Sequence, residues 1–331
     1  MNVKTNDLRK FQKLSSHIKA SGILPSSDCI KFGDGAIIKN AHSSFVSYDC
    51  QDSNESMLVD EHALWGLVNA TSSDFINIVL KGPKVILSDG RDKIPVPAVS
   101  IKEYGELPAY DGDKKDISIE FLQSLGRAAE VCSAPQQIAN LYMYVHIGEN
   151  AICAGNGFMG VYFPIEEDYK MVIEKKVANT LSKFSFTSFA ESQGHHFFFG
   201  DGMFMGFSKQ EIGWADLKRV LSGGKDRTFS IAASDILSYN SLAMYLSKDF
   251  GMVTMKTGEF EMDDTIREIS HSRPADGIVL PEPFTYNAEN MNKCVSALGV
   301  EELDFYVCEK AYYIKSTETK ATAIIQKIYK P

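Results

Sequence analysis

Apolar stripes at helix spacing and alternating stretches at strand spacing follow one another along this chain in a fixed order. In PFTYNAENMNKCVSALGVEELDFYV, residues 283 to 307, apolar positions recur every three to four residues up to a glycine, and then alternation takes over. The pattern predicts a short capped helix running into a half-buried strand. The same order appears in SMLVDEHALWGLVNATSSDFINIVLKGPKVILSDG, from Ser56, and in YKMVIEKKVANTLSKFSFTSFAESQGHHFFFGDGMFMGFS, from Tyr169. Taken as equivalent starts, Val59, Ile173 and Tyr286 stand 114 and 113 residues apart. A second helical pattern precedes each unit: DLRKFQKLSSHIKASG, IEFLQSLGRAAEVCS and SDILSYNSLAMYLSKD. Their marks, Leu8, Phe121 and Ile236, are spaced by 113 and 115 residues, so two independent sets of positions return one domain-sized period.

Between the helical stretches the chain alternates with Gly, Asp and Asn turns, as in CIKFGDGAIIKNAHSSFVSYDC, LYMYVHIGENAICAGNGFMGVYF and FGMVTMKTGEFEMDDTIREIS. Each third therefore reads as two copies of a helix plus antiparallel strands, an α+β class. The polar loops PAYDGDKKD (108 to 116) and LSGGKDRT (221 to 228) place the boundaries, giving domains 1–113, 114–223 and 224–331. Three unrelated α+β domains of similar size would also give such patterns, but they leave the equal spacing unexplained.

Composition narrows the classes. The chain has 331 residues, 44% hydrophobic and 11% aromatic, enough for two or three cores. The start, MNVKTNDLRKFQKLSSHIK, is polar and basic rather than leader-like, and no run of about 18 apolar residues exists, so a cytoplasmic protein without membrane contact is expected. Cys29, Cys50, Cys132, Cys153, Cys294 and Cys308 are scattered, with no C-x-x-C pair, and are expected to be reduced core residues. A net charge of −9 argues against a generally basic nucleic-acid coat and leaves open a local basic stripe.

Several chemical motifs fail on context. GNGFMG matches G-x-G-x-x-G, but VYFPIEED after it continues as a strand, whereas a dinucleotide site opens a helix there. His195 and His196 are neighbours on a strand and face opposite ways, one expected in the core and one at the surface, so they do not share a metal. SGGKD lacks P-loop spacing, and neither G-x-S-x-G nor H-E-x-x-H occurs. No catalytic residue, metal or cofactor is expected.

The ordered set of segments resembles the bacterial-type DNA polymerase sliding clamp, the β processivity factor, over nearly the whole chain. DLKRVLSGGKDRTFSIAASDILSYNSLAMYLSK, residues 216 to 248, is similar to that family's linker between second and third domains and the helix after it. FTYNAENMNKCVSALGVEELDFYVCEKAYYIKSTETKATAIIQKI matches in order and spacing, with Tyr286-Asn287 at the position of the family's phenylalanine-asparagine pair and Glu302 and Asp304 flanking the start of the next strand. The resemblance implies a non-enzymatic clamp fold: three repeated domains per chain, each with two helices on antiparallel sheets. Two copies would join head to tail as a homodimeric ring around double-stranded DNA, held without sequence specificity through phosphate contacts. Its partners would be a polymerase and a clamp loader, docking through short linear motifs.

The implied DNA-facing cations are Arg9, Lys10, Lys13, Lys19, Arg127, Lys175, Lys176 and Lys183. The first helical stretch sums to +3 and Val172 to Lys183 to +2, against −9 for the chain; the other four are neutral or negative. The implied partner-peptide pocket carries over to Ile138, Gly155, Gly157, Phe158, Met159, Gly160, Leu221, Ile324, Ile325 and Ile328. Asn156-Gly157-Phe158-Met159-Gly160 departs from the family's Asp-Gly-His-Arg-Leu, and Gln326-Lys327-Ile328 stands where the family ends Met-Pro-Met. Those departures fit a diverged, phage- or plasmid-encoded member in a host cytoplasm. Tyr245 and Leu246 match the family's subunit interface, the competing reading being burial in their own domain. A non-sliding structural or interaction protein of repeated modules, and a small-molecule enzyme, are the alternative functions.

Overall fold

The structure, a computed structural model, describes residues 1–18, 25–41, 43–132, 140–212, 227–247, 251–264, 266–308, 310–316 and 318–328. Among them, one order of elements is written three times. The first third runs β1 (Asn2–Lys4), α1 (Thr5–Leu14), β2 (Cys29–Gly33), β3 (Ala36–Ala41), β4 (Ser44–Asp49), β5 (Met57–Asp60), α2 (Glu61–Ala70), β6 (Phe75–Lys81), β7 (Lys84–Ser88) and β8 (Lys93–Pro97). The second is β9 (Lys115–Asp116), α3 (Ile119–Val131), β10 (Tyr144–Gly148), β11 (Ala151–Gly155), β12 (Met159–Pro164), β13 (Met171–Glu174), α4 (Lys175–Leu181), β14 (Phe186–Ser192), β15 (His195–Gly200) and β16 (Met203–Ser208). The third is β17 (Phe229–Ala232), α5 (Ala233–Leu246), β18 (Met252–Lys256), β19 (Glu259–Asp264), β20 (Ile269–Pro274), β21 (Phe284–Asn287), α6 (Ala288–Leu298), β22 (Glu302–Val307), β23 (Ala311–Lys315) and β24 (Thr322–Gln326).

The helices start later than the periodicity predicts. Val59, Ile173 and Tyr286, read as first helical positions, belong to the strands β5, β13 and β21 and are fully buried. Their backbones are claimed by sheet neighbours, opposite Ile30, Val145 and Val253. A short strand feeding directly into a helix keeps the apolar residue in the core, so the sequence pattern does not register the switch. The caps explain two of the starts: Asp60 accepts from the Ala63 amide at 2.7 Å and Asn287 from the Asn290 amide at 2.9 Å. α6 stops at Gly299, whose φ of 65° is the left-handed cap geometry.

The contacts divide the chain into two compact units, Met1–Ile119 with Thr180–Lys209, and Glu120–Asn179 with Gln210–Pro331. The first holds a four-stranded sheet, β1-β6-β7-β8, and an eight-stranded one, β5-β2-β3-β4-β16-β15-β14-β9. The second holds β20-β19-β18-β21 and the eight-stranded β13-β10-β11-β12-β24-β23-β22-β17. The strand pairings in these sheets are antiparallel among the described residues. The middle repeat is thus shared, its outer strands in one sheet and its inner strands in the other.

Amphipathic helices supply the other layer. On α1, Leu8, Phe11 and Leu14 are buried while Arg9, Lys10 and Lys13 are exposed. In the second unit, α5 and α6 share a buried polar link: the Asn240 amide donates to Asn292 at 2.9 Å, and the Tyr286 hydroxyl donates to Asn240 at 3.0 Å. Asn240 is fully buried, so both partners are needed to offset its desolvation. None of the six cysteines forms a disulfide; five are buried and Cys308 is half-buried. No helix among the described residues is long and apolar enough to cross a membrane.

Candidate partner-binding and DNA-facing sites

In the second unit, the β11–β12 hairpin and β24 come together as one surface. Asn156 shapes the turn: its side-chain oxygen accepts from the amides of Phe158 and Met159, both at 3.0 Å, and its own amide donates to the Met159 carbonyl at 3.0 Å. Gly157 takes a φ of 87°, a region that favours glycine. A side chain at Gly155 would meet the Met159 carbonyl oxygen at 2.9 Å, so this position also requires glycine. The turn holds the Phe158 ring out, 57% exposed, while Met159 is buried.

β12 then pairs with β24, Met159 opposite Ile325 and Gly160 opposite Ile324. Gly155, Gly157, Phe158, Met159, Gly160, Ile324 and Ile325, which the resemblance groups as a pocket, lie on the paired hairpin and last strand. Ile324 and Ile328 are half-buried and Ile325 is buried. Ile138 and Leu221 lie outside the described residues.

Lys327 was not among the expected site residues. Its ammonium is drawn inward onto Glu282 at 2.5 Å and lies 5.9 Å from the Tyr312 ring centre, and the side chain is 7% exposed. Tyr312 faces Ile325 across β23–β24. Its buried hydroxyl has no hydrogen-bond partner among the described residues, and burial holds its pKa well above the usual phenol range. A lysine between Gln326 and Ile328 near the C-terminus reads in sequence as solvated, and no local signal marks its inward turn.

The expected DNA-facing cations fall into two groups. Lys10, Lys13, Lys176 and Lys183 are exposed on or beside α1 and α4; Lys19 lies outside the described residues. Arg9 and Lys175 donate to carbonyls at helix C-termini, and Arg127 packs beside one. Arg9 donates to the carbonyls of Val68 (3.3 Å) and Thr71 (2.9 Å) at the end of α2. Lys175 donates to the Cys132 carbonyl, just past α3, at 3.1 Å. The Arg127 guanidinium packs on Gly299 at the end of α6, within 3.1–3.3 Å of where a Cβ would stand. Arg267, unforeseen from sequence, does the same for α5 by donating to the Leu246 carbonyl at 2.7 Å. Cations there satisfy orphan carbonyls and oppose the negative end of the helix dipole.

Tyr245 is 84% exposed on α5, which removes it from its own repeat's core, and Leu246 is half-buried. His195 is half-buried and His196 buried, on opposite faces of β15 as expected. The described residues contain no cluster of three or more groups placed to hold a metal. A hollow in the first unit is lined by Asp28, Asp60, Glu61, His62, Trp65, Gly66 and Asn69. Two of its three acids already serve the fold: Asp60 caps α2, and Glu61 accepts from Lys39 at 2.6 Å and from the Trp65 indole at 3.0 Å.

The chain superposes along its length on solved structures of one kind. A putative DNA polymerase III β subunit from Eubacterium rectale aligns with a TM-score of 0.81 at 15% identity, covering 99% of both chains. The DNA polymerase III β subunit of Pseudomonas aeruginosa gives 0.81 at 12%, covering 100% of both. The chain has the sliding-clamp fold. A third such clamp, from Helicobacter pylori and bound to a DNA ligase peptide, aligns at 0.79 with 13% identity over 99% of both chains. No protein-family model matches the sequence, and a search of curated proteins finds no match. The clamp fold is thus kept here by buried positions and turn geometry with few identities.

Proposed function

We propose that this protein is a DNA sliding clamp: a homodimeric ring of three clamp domains per copy, with boundaries near 113 and 223, that encircles duplex DNA and tethers a polymerase. The observation that carries the reading is the threefold order of elements, eight strands and two helices each time, on a chain that aligns end to end with clamp folds. Repetition at equal spacing gives a channel wall that looks alike at every angle, which suits sliding without base readout. Exposed Lys10, Lys13, Lys176 and Lys183 supply phosphate contacts. The hairpin at Phe158 with β24 serves as the docking surface for short apolar peptides, and the host cytoplasm is the place of action.

Retention on DNA tests this directly. Loaded protein should stay on a nicked circular plasmid through a high-salt wash and be lost when the plasmid is linearised. Equal retention on both forms overturns the topological reading and favours a non-sliding interaction protein.

A further inference from the structure

Each eight-stranded sheet consists of two four-stranded halves. The half that includes the strand feeding the second helix ends on β4 in the first repeat, β12 in the second and β20 in the third. The complementary half ends on β8, β16 and β24 in the same order. Inside the chain, β4 joins β16 and β12 joins β24. β20 and β8 are left as outer strands, and by the repeat they are the matching edges: β20 of one copy fits β8 of a second.

Backbone direction decides how well they fit. At the internal junctions the Asp49 amide donates to the Gly202 carbonyl and the Gln326 amide to the Phe158 carbonyl. Alternation then sets Phe45, Ser47 and Asp49 facing β16, and Thr322, Ile324 and Gln326 facing β12; none of these is proline. On β8, the Ala98 amide donates to the Pro83 carbonyl, so Ala98, Val96 and Ile94 point toward β7. The backbone groups of Lys93, Pro95 and Pro97 therefore point to the open edge, where the two prolines offer carbonyls and no N–H. On β20, the Ala275 amide donates to the Gly258 carbonyl, which turns Ser270, Ser272 and Pro274 outward.

We propose that Pro95 and Pro97 leave the β20–β8 joint between copies with a single hydrogen bond per facing pair, making it weaker than the two joints inside the chain. With Ser270 opposite Pro97, Ser272 falls opposite Pro95 and Pro274 opposite Lys93. Each facing pair then keeps one hydrogen bond, from the Ser270, Ser272 and Lys93 amides, where a pair without proline has two. No proline opposes another in that register, and the edges are blunted against unspecific strand addition. The proposal rests on the reading of the protein as a ring of two copies.

The experiment is sedimentation equilibrium on the full chain, its Pro95→Val/Pro97→Val variant and its Ser272→Pro variant, with circular dichroism melts to confirm folding. Restoring two donors per joint should tighten self-association by about tenfold or more, and removing the Ser272 donor should weaken it by a similar factor. Association that appears only in the valine variant also supports the proposal. Should the wild type dimerise and neither variant shift its dissociation constant, the joint lies elsewhere and the proposal falls while the ring stands. Monomers throughout, at every concentration, overturn both. If the valine variant melts early, the Ser272→Pro protein decides alone, because that position makes no ladder bond to β19.

Discussion

Met159 stands directly opposite Ile325, and beside that pair the Phe158 carbonyl accepts the Gln326 amide at 2.9 Å. The hairpin and the last strand are therefore one backbone ladder, and the site they form is only as mobile as the sheet that contains it. Phe158 projects from this rigid base while Ile325 is sealed beneath it, 57% against 2% exposed. Substitutions at the two positions test different things.

Phe158→Ala should weaken peptide docking by on the order of 1–3 kcal/mol, since a projecting aromatic anchor dominates such surfaces, and should leave the melting temperature unchanged. Ile325→Ala should cost about 2–5 kcal/mol of stability through the cavity it opens. Fluorescence anisotropy with a labelled DNA ligase peptide, alongside thermal melts, separates them; equal binding by the Phe158→Ala protein removes this surface as the docking site.

The cations divide in the same manner. Arg9→Gln should lower stability by about 1 kcal/mol by releasing the carbonyls at the end of α2. Lys10→Glu with Lys13→Glu should leave melting unaltered and weaken direct binding to linear duplex DNA, most visibly at low salt. Melting curves and a salt titration of linear-DNA binding check the pair. Unchanged binding by the double variant moves the DNA contacts to other residues.

Tyr245→Ala should give a folded protein with cooperative melting and weaker self-association, because an 84% exposed tyrosine contributes little within its own chain. A lower melting temperature with an unchanged dissociation constant would reverse that assignment.

Two buried histidines set a pH limit. Burial pushes His17 down to about 4, against a hydrogen bond with the Leu14 carbonyl that raises it and a lowering from Lys39. Burial likewise pushes His196 down to about 4, opposed by Glu191. In the unfolded chain both take up a proton near pH 6.5, so stability is full above that value and declines as pH falls toward 4. The loss should be on the order of 1–2 kcal/mol per histidine by pH 5. Urea unfolding at pH 7 and pH 5 measures it, and His17→Phe should flatten the slope.

The repeat, its period and the two helices per third were legible because buried apolar positions recur whatever the identities between them. The strands β5, β13 and β21 were not, since Val59, Ile173 and Tyr286 satisfy a helical and a strand pattern equally well. The glycine-turn hairpin and its neighbour β24 were placed through resemblance, and the ladder between them joins residues some 160 apart in the chain. The roles of Arg9, Lys175, Arg127 and Arg267 had no sequence signal, because a lysine or arginine at a helix end looks the same facing solvent or a carbonyl. The inward turn of Lys327 depends on Glu282, 45 residues away.

The division of the middle repeat between two sheets also bears on how the protein is made. β4 leaves the ribosome at residue 49, yet its sheet partner β16 begins at Met203; β12 ends at Pro164 and waits for β24 at Thr322. At about 5–20 residues per second, each of these edges stays uncovered for on the order of ten seconds or more of synthesis. Phe45 and Val46 sit on the first of them and Val161 and Phe163 on the second, all buried in the finished fold. A nascent chain halted at either repeat boundary would present an open apolar strand to its neighbours, so slow translation through residues 50–200 should raise the demand for chaperones that shield such edges.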